Sequence, residues 1–329
     1  MIALEFFDAP GPFLAEADRD LGADPVLGTV VATVTERRRV EAEEAGAGGA
    51  TADDGQRLPF APWWVVARQD GEVVGVGMRT APFEPYPVFL LPMPEEAAVQ
   101  VAETLAARGE VRAGGRYGVN GALPAARQCA ARIARLIGGR VREGMHTRLF
   151  EFRPGPSQPS QQAAAGGRRL ATIEDLPLVS AWFADFSTAA DEQAGRPPGS
   201  GHEPHETEGQ LRRRLQAGTV WLWQDESGAV VHLSAHTPPS FGVVRIGPVY
   251  TPAEHRGQGY ASAMVGALSR EFADGGVRVC LFTDQANPTS NAIYHLIGYQ
   301  PVVDMVNLVI GPDQVITRDG GELVGENSP

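Results

Sequence analysis

The residues best suited to chemistry stand in one short stretch. Arg256-Gly257-Gln258-Gly259-Tyr260-Ala261 follows an apolar, β-rich run at 243–250 and opens a helical pattern at 260–272. Two glycines one residue apart let a backbone turn sharply and come close to a ligand. The amides that follow, through Ser262, lead a helix N-terminus. There the unpaired N–H groups and the positive end of the helix dipole suit an anion such as a pyrophosphate. Arg256 adds a guanidinium whose planar donors match phosphate oxygens. Two glycines before a helix are also a common structural turn. The stretch is not a P-loop, because Lys-Ser/Thr is missing, and Gly-x-Gly-x-x-Gly does not fit, which argues against a nicotinamide oxidoreductase.

A second stretch lies about thirty residues on: Asp284-Gln285-Ala286-Asn287, then Asn291, Tyr294 and Gly298-Tyr299. A strand, an Arg-Gly-x-Gly-x-Ala loop, a helix, a strand, an Asn-x-x-x-Asn-x-x-Tyr helix and a Gly-Tyr pair follow one another. This series resembles the GNAT superfamily of acyl-CoA-dependent N-acetyltransferases. The resemblance is strongest over 243–303 and extends by element order to about 170–312. It implies an α/β (α+β) fold with a mixed, mainly antiparallel sheet, and acetyl-CoA as cosubstrate.

The resemblance also implies roles. Residues Arg256, Gly257, Gln258, Gly259, Tyr260 and Ala261 would hold the CoA pyrophosphate through backbone amides, with Ser262 adding a hydroxyl. Val249, Tyr250 and Thr251 would pair with the pantetheine arm, and the Val249 amide would face the thioester oxygen. Asn287 and Asn291 would contact the CoA arm, and Tyr294 would protonate the departing thiolate. The implied reaction moves acetyl to a primary amine by direct attack in a ternary complex. The alternative is a non-catalytic acyl-CoA sensor or interaction module. Many members of the superfamily carry a glutamate in the fourth strand as base, whereas 243–250 holds no acid. His236, Glu254 and His255 are the remaining candidates. The acceptor amine is not legible, although the acids of 188–206 would suit a cationic one.

Other chemistry is less well supported. His202-Glu203-Pro204-His205-Glu206 carries metal-binding residue types, but Pro204 breaks any helical spacing, so a solvated loop and no metal site are expected. Cys129 and Cys280 form no disulfide framework, and Cys280 reads as a small buried apolar residue. Trp63, Trp64, Trp221 and Trp223 read as core or interface packing.

The elements that position these residues occur twice. Apolar periodicity predicts helices over 20–40, 95–108, 125–137, 173–186, 208–215, 260–272 and 290–296. Strands are predicted over 63–68, 73–80, 88–91, 149–152, 221–224, 230–236, 243–250, 277–284 and 305–310. Gly71 matches Gly228, Phe83 matches Phe241, Pro94 matches Pro252, and Leu136-Ile137-Gly138 matches Leu296-Ile297-Gly298. The separations run from 157 to 160 residues. One GNAT-like fold used twice is the expectation. Residues 1–153 would form a degenerate half without the CoA loop, 154–169 a linker, 170–312 the acetyltransferase domain and 313–329 a polar tail. Long loops are expected at 41–57 and 188–206. The first half has no glycine at 96–103, opposite the loop, and Ala134 opposite Tyr294.

Composition agrees with this reading. Among 329 residues, Lys+Arg 28 against Asp+Glu 40 give a net charge of −12, which disfavours nucleic acid as a partner. No apolar run is long enough for a membrane span. Met1–Asp8 has no basic region, so no targeting segment and a cytoplasmic location are expected. Monomer and dimer both remain open.

Overall fold

The computed structural model describes residues 1–46, 59–155, 164–197 and 206–312. Its two halves repeat one order of elements. The first half runs β1 (Ile2–Phe7), α1 (Pro10–Ala23), α2 (Thr29–Gly46), β2 (Trp63–Gln69), β3 (Glu72–Arg79), β4 (Val88–Leu90), α3 (Glu95–Ala107), β5 (Tyr117–Ala122), α4 (Ala125–Ile137) and β6 (Arg140–Phe152). The second runs β7 (Gly167–Leu170), α5 (Leu176–Gln193), α6 (Glu208–Gln216), β8 (Val220–Gln224), β9 (Val230–His236), β10 (Val243–Tyr250), α7 (Tyr260–Asp274), β11 (Arg278–Asp284), α8 (Pro288–Ile297) and β12 (Tyr299–Gly311).

All twelve strands join into one sheet, ordered β1-β2-β3-β4-β5-β12-β6-β11-β10-β9-β8-β7. Each half gives its last strand to the other. β12 pairs antiparallel with β5, and β6 pairs antiparallel with β11. The two exchanged strands pair with each other along their whole length. Within each half one pair is parallel, β4 with β5 and β10 with β11, and the rest are antiparallel. α3, α4, α7 and α8 cover one face, and α1, α2, α5 and α6 the other. Charges seal the exchange. Arg148 on β6 forks onto Asp304 on β12, and buried Glu151 on β6 receives Arg278 from β11 at 2.7 Å.

The repeat is visible in local detail. Both α4 and α8 end on a left-handed glycine, Gly138 at φ 67° and Gly298 at φ 112°, a conformation only glycine adopts without strain. The paired tryptophans are core residues. Trp64 stacks near Phe13 and donates to Thr35 Oγ1 at 2.8 Å, and Trp63 donates to Glu110 at 2.9 Å. Cys280 is fully buried beside Val243, Leu149 and Met305, and burial pushes its thiol up to about 11.

Several elements differ from the sequence expectation. The helix expected over 20–40 is two helices, because Pro25 has no N–H to continue the first and its ring forces Asp24 out of helical geometry (φ −135°, ψ 76°). β1 and β5 were not expected. β5 carries two glycines that strand periodicity disfavours, and packing explains both. A Cβ at Gly118 would meet Pro87 at 2.8 Å, and one at Gly121 would meet the Leu90 carbonyl oxygen at 2.0 Å. The last residues of the expected linker, 167–169, belong to an edge strand, Gly167–Leu170, paired with β8. The loops expected at 41–57 and 188–206 start late, since α2 runs to Gly46 and α5 to Gln193. The rest of the linker and loops, including His202-Glu203-Pro204-His205, and the tail at 313–329 lie largely outside the described residues.

The strand exchange leaves neither half with a complete sheet. Residues 1–155 alone expose the β5 edge that β12 covers. That fragment is expected to melt without a cooperative transition by circular dichroism, and mixing with 164–312 should restore one. A monomeric 1–155 that melts cooperatively would refute this.

Candidate functional site

The site grows from a gap in the sheet. β10 and β11 pair in parallel only from Val243/Arg278 to Ile246/Leu281, yet β10 continues to Tyr250 and β11 to Asp284. Beyond Ile246 the two strands separate. A bulge at 247–248 accompanies the parting, and β10 resumes its pairing with β9 at Val249–Ser234 and Tyr250–Leu233. Bulges sharpen twist and bend a strand away from its neighbour. Pro248 also removes one ladder N–H. On the gap side, backbone groups of 249–251 therefore have no strand partner.

Where β10 ends, the chain makes a 3-10 turn (Ala253–His255), passes Arg256, and enters α7 through Gly257 at φ 78° and Gly259 at φ 83°. Space is open around both glycines, so positive φ, and not crowding, requires them. Gly259 caps α7 with no side-chain bond, which leaves the first-turn amides of Tyr260, Ala261 and Ser262 without intrahelical partners. Arg256 Nε donates to the Thr251 carbonyl at 3.1 Å and so spans the mouth of the turn. Gln258 accepts from the Tyr260 hydroxyl at 3.0 Å, and the Tyr260 ring is buried against Trp223. Tyr260 thus offers the site its amide, not its phenol.

Tyr294 reaches the same core from α8, in one apolar cluster with Tyr260 and Ile246, against which Val249 packs. Its ring meets Tyr299 edge-on at 5.8 Å, and burial pushes its phenol up to about 12. It therefore keeps its proton at neutral pH and is available as an acid. The asparagines are engaged within the protein. Asn287 caps α8 by accepting from Ser290 N at 3.0 Å and donates to Gln193 at 3.0 Å. Asn291 donates to the carbonyls of Asp284 at 2.9 Å and Asn287 at 2.7 Å. Here they brace the helix that carries Tyr294.

Two of the candidate bases stand beside the turn, and one does not. Glu254 lies in the 3-10 turn and acts on Tyr250, whose phenol is raised first by burial and then by Asp185. His255 follows it. His236 packs against Phe272, twelve residues into α7 from Tyr260, about 18 Å along the helix. Burial also holds His236 below the usual imidazole range. It sits at the wrong end of the strand for a base.

Sequence reading missed His232. It is fully buried on β9, with Nδ1 2.8 Å from Thr251 Oγ1 and Nε2 2.8 Å from Ser234 Oγ. A neutral imidazole donates through one nitrogen and accepts through the other, so it links both hydroxyls. Ser234 is the register partner of Val249, and the Thr251 carbonyl holds Arg256. The ring therefore fixes the strand end and the turn together. No motif marks it, because one partner, Ser234, is on its own strand and the other, Thr251, lies nineteen residues on.

The first half shows what the site requires. Its β4–α3 connection is four residues, Leu91-Pro92-Met93-Pro94, against nine at 251–259. The stretch opposite the loop is therefore 91–94, and not the 96–103 that constant spacing suggests. Two prolines remove amides, Glu95 and Glu96 occupy the first turn, and β4 stays paired with β5 to its end. Met93 fills the space beside Gly75, where a Cβ would lie 2.3 Å from its own. No gap opens there.

Comparison with known proteins agrees with this geometry. The FR47-like protein family model matches residues 224–307, which span β9 through most of β12. A search of curated proteins gives no match. Among solved structures, a Drosophila protein superposes with a TM-score of 0.57 at 14% identity, covering 94% of this chain and 98% of that one. A GCN5-related N-acetyltransferase from Sphaerobacter thermophilus gives 0.50 at 18%, covering 94% and 95%. A tandem GNAT protein from the clavulanic acid biosynthesis pathway is also similar, at 0.44 and 14%, covering 94% and 98%. The class is thus an α/β protein of the GNAT fold, with a large, mostly antiparallel sheet flanked by helices. The chain shares the fold of a GCN5-related N-acetyltransferase, and its residues 224–307 are similar to the FR47-like protein family.

Among the described residues no helix is long and apolar enough to cross a membrane, and no cluster of three metal-ligating side chains occurs.

His232 gives the site a pH signature. Burial lowers it to about 3 from the ordinary imidazole value of 6.5. The unfolded chain therefore binds the extra proton between those values. Stability is full above pH 6.5 and falls toward pH 3, by up to about 1.4 kcal/mol per pH unit. Thermal melts of His232→Gln should show a shallower acid slope than the unaltered protein, and equal slopes would count against the assignment.

Proposed function

We propose that the protein is an acyl-CoA-dependent N-acyltransferase that moves acetyl from acetyl-CoA to a primary amine by direct attack in a ternary complex. The observation that carries this reading is the gap between β10 and β11, with a twin-glycine helix start at its mouth. The gap is lined on one side by unpaired backbone, as a pantetheine arm with two amides requires. The amides of 257–262 and the Arg256 guanidinium provide the anion site for the pyrophosphate. Ser262 stands in the same first turn with a hydroxyl.

Val249, Tyr250 and Thr251 would hold the arm as a strand holds its neighbour, with the Val249 amide stabilising charge on the thioester oxygen. Asn287 and Asn291 support the arm's far side through α8. As the amine nitrogen bonds to the acetyl carbon and the carbon–sulfur bond breaks, Tyr294 gives its proton to the leaving sulfur. The amine's own proton leaves to water or to Glu254. Catalysis then rests on placement and oxyanion stabilisation more than on a strong base.

One observation favours the second reading, a non-catalytic acyl-CoA-binding module. β10 offers no carboxylate along Val243–Tyr250. Two variants separate the readings. Calorimetric titration of acetyl-CoA should give one-site binding to the full chain, weakened at least tenfold in Arg256→Glu. No saturable binding to the unaltered protein would overturn both readings. With binding in place, Tyr294→Phe should cut thiol release by about a hundredfold and leave acetyl-CoA affinity unchanged. Binding without any amine-dependent thiol release leaves only the sensor.

A further inference from the structure

Arg245 is a cation among cations. It lies half-buried in the middle of β10, in register with Cys280 on β11. Among the described residues its Nη1 reaches only two hydroxyls of α2, Thr33 at 3.4 Å and Thr29 at 3.5 Å, both at the long limit of a hydrogen bond. Among the described residues, the side chains that act on its charge are the Cys280 thiol and the guanidinium groups of Arg214 and Arg37, and no carboxylate is among them. Those two arginines have partners of their own: Arg214 donates to Glu206 at 2.7 Å, and Arg37 faces Glu41 at 3.6 Å. Burial and these like charges both disfavour the charged form of Arg245. A partly desolvated guanidinium with no counterion among the described residues is a cost to the fold that an anion from outside would remove.

Its position gives that anion a use. Arg245 and Tyr250 lie on the face of β10 that carries α2 and α5, since the bulge at 247–248 restores alternation between them. Arg245 stands four residues before Val249, about 13 Å along the strand. At the Tyr250 end the charges reverse. Trp182 packs on Tyr250 at 5.7 Å, and three carboxylates, Asp185, Glu254 and Glu192, act on its phenol against one cation, Arg256. One face of one strand is thus acidic beside the acyl-transfer centre and basic a short chain-length away.

The geometry points to an acceptor that is an amine with a carboxylate or phosphate at its other end, the anion held by Arg245 and the ammonium drawn to the Tyr250 end. This deepens the acyltransferase reading and rests on it. The position of Thr29 and Thr33 on α2 gives the first half a part in it, as the wall behind the anion.

The test uses the full chain and matched probes: 6-aminohexanoate and 8-aminooctanoate against hexylamine and octylamine. Acetyl-CoA-dependent thiol release should favour an amino acid over its alkylamine by about tenfold in kcat/KM. Arg245→Gln should bring that ratio to about one, with the acetyl-CoA KM and the alkylamine rate unchanged. Arg245→Lys should recover part of the preference. An equal ratio in the unaltered protein and Arg245→Gln, or a preference for the neutral amine, overturns the proposal.

A second measurement needs no turnover. 8-Aminooctanoate alone should raise the melting temperature of the unaltered protein and not that of Arg245→Gln. If it does so while no amine supports thiol release, the anion site stands and the catalytic reading fails. If it shifts neither protein, the anion site fails whatever the activity. Arg245→Gln should itself melt no lower than the unaltered protein, because it removes an uncompensated charge; a large drop would make Arg245 a structural residue and overturn the assignment.

Discussion

The exchange of β6 and β12 is the constraint on which the rest of the molecule depends. A strand inside a sheet must satisfy its backbone groups on both sides. β5 does so only through β12, and β11 only through β6. Two repeats that could each have formed a separate sheet are therefore locked into one. The buried Glu151, held by both Arg278 and Arg153, and the Arg148–Asp304 fork lie on this seam. Duplication here yields one molecule with two unequal ends, and not a pair of independent domains.

With β11 anchored on its far side by β6, the gap on its near side can open without loss of the sheet. β10 turns away after Ile246, held by β9 through Val249 and Tyr250, while β11 stays with β6 as far as Asp284. The buried His232 ring then ties the departing strand to the turn beyond it. The first half shows the same topology with the gap closed. Its short connection places Met93 where the longer one places a glycine-rich turn, and Gly121 lets β5 press against Leu90. A nine-residue connection against a four-residue one is enough to separate an open cleft from a packed core.

Much of the candidate site was legible because its chemistry is local. A glycine pair before a helix, a capping asparagine and a tyrosine two turns later are each set by residues within a few positions of one another. Backbone conformation at Gly257, Gly259, Asn287 and Gly298 follows from those residue types alone. The elements missed were those whose sequence reason lies elsewhere. β5 looks too rich in glycine to be a strand until Pro87 and Leu90 are seen against it. His232 carries no motif, because the hydroxyls that hold it come from β9 itself and from the end of β10. His236, which stood out as a candidate base, proved to lie against the far end of α7.

The sequence by itself determined the repeat, most of the elements and the glycine turn before α7, because each is written in short-range spacing: alternation for strands, a 3.6-residue period for helices, glycine for positive φ. Only the tertiary structure decided which strand edges meet. The exchange of β6 and β12, the parting of β10 from β11 and the setting of Arg245 among cations depend on residues from about thirty to more than two hundred positions apart. The physical reason is that backbone edges and buried charges are satisfied by whatever the fold brings beside them, and that choice is made by the packing of the whole chain.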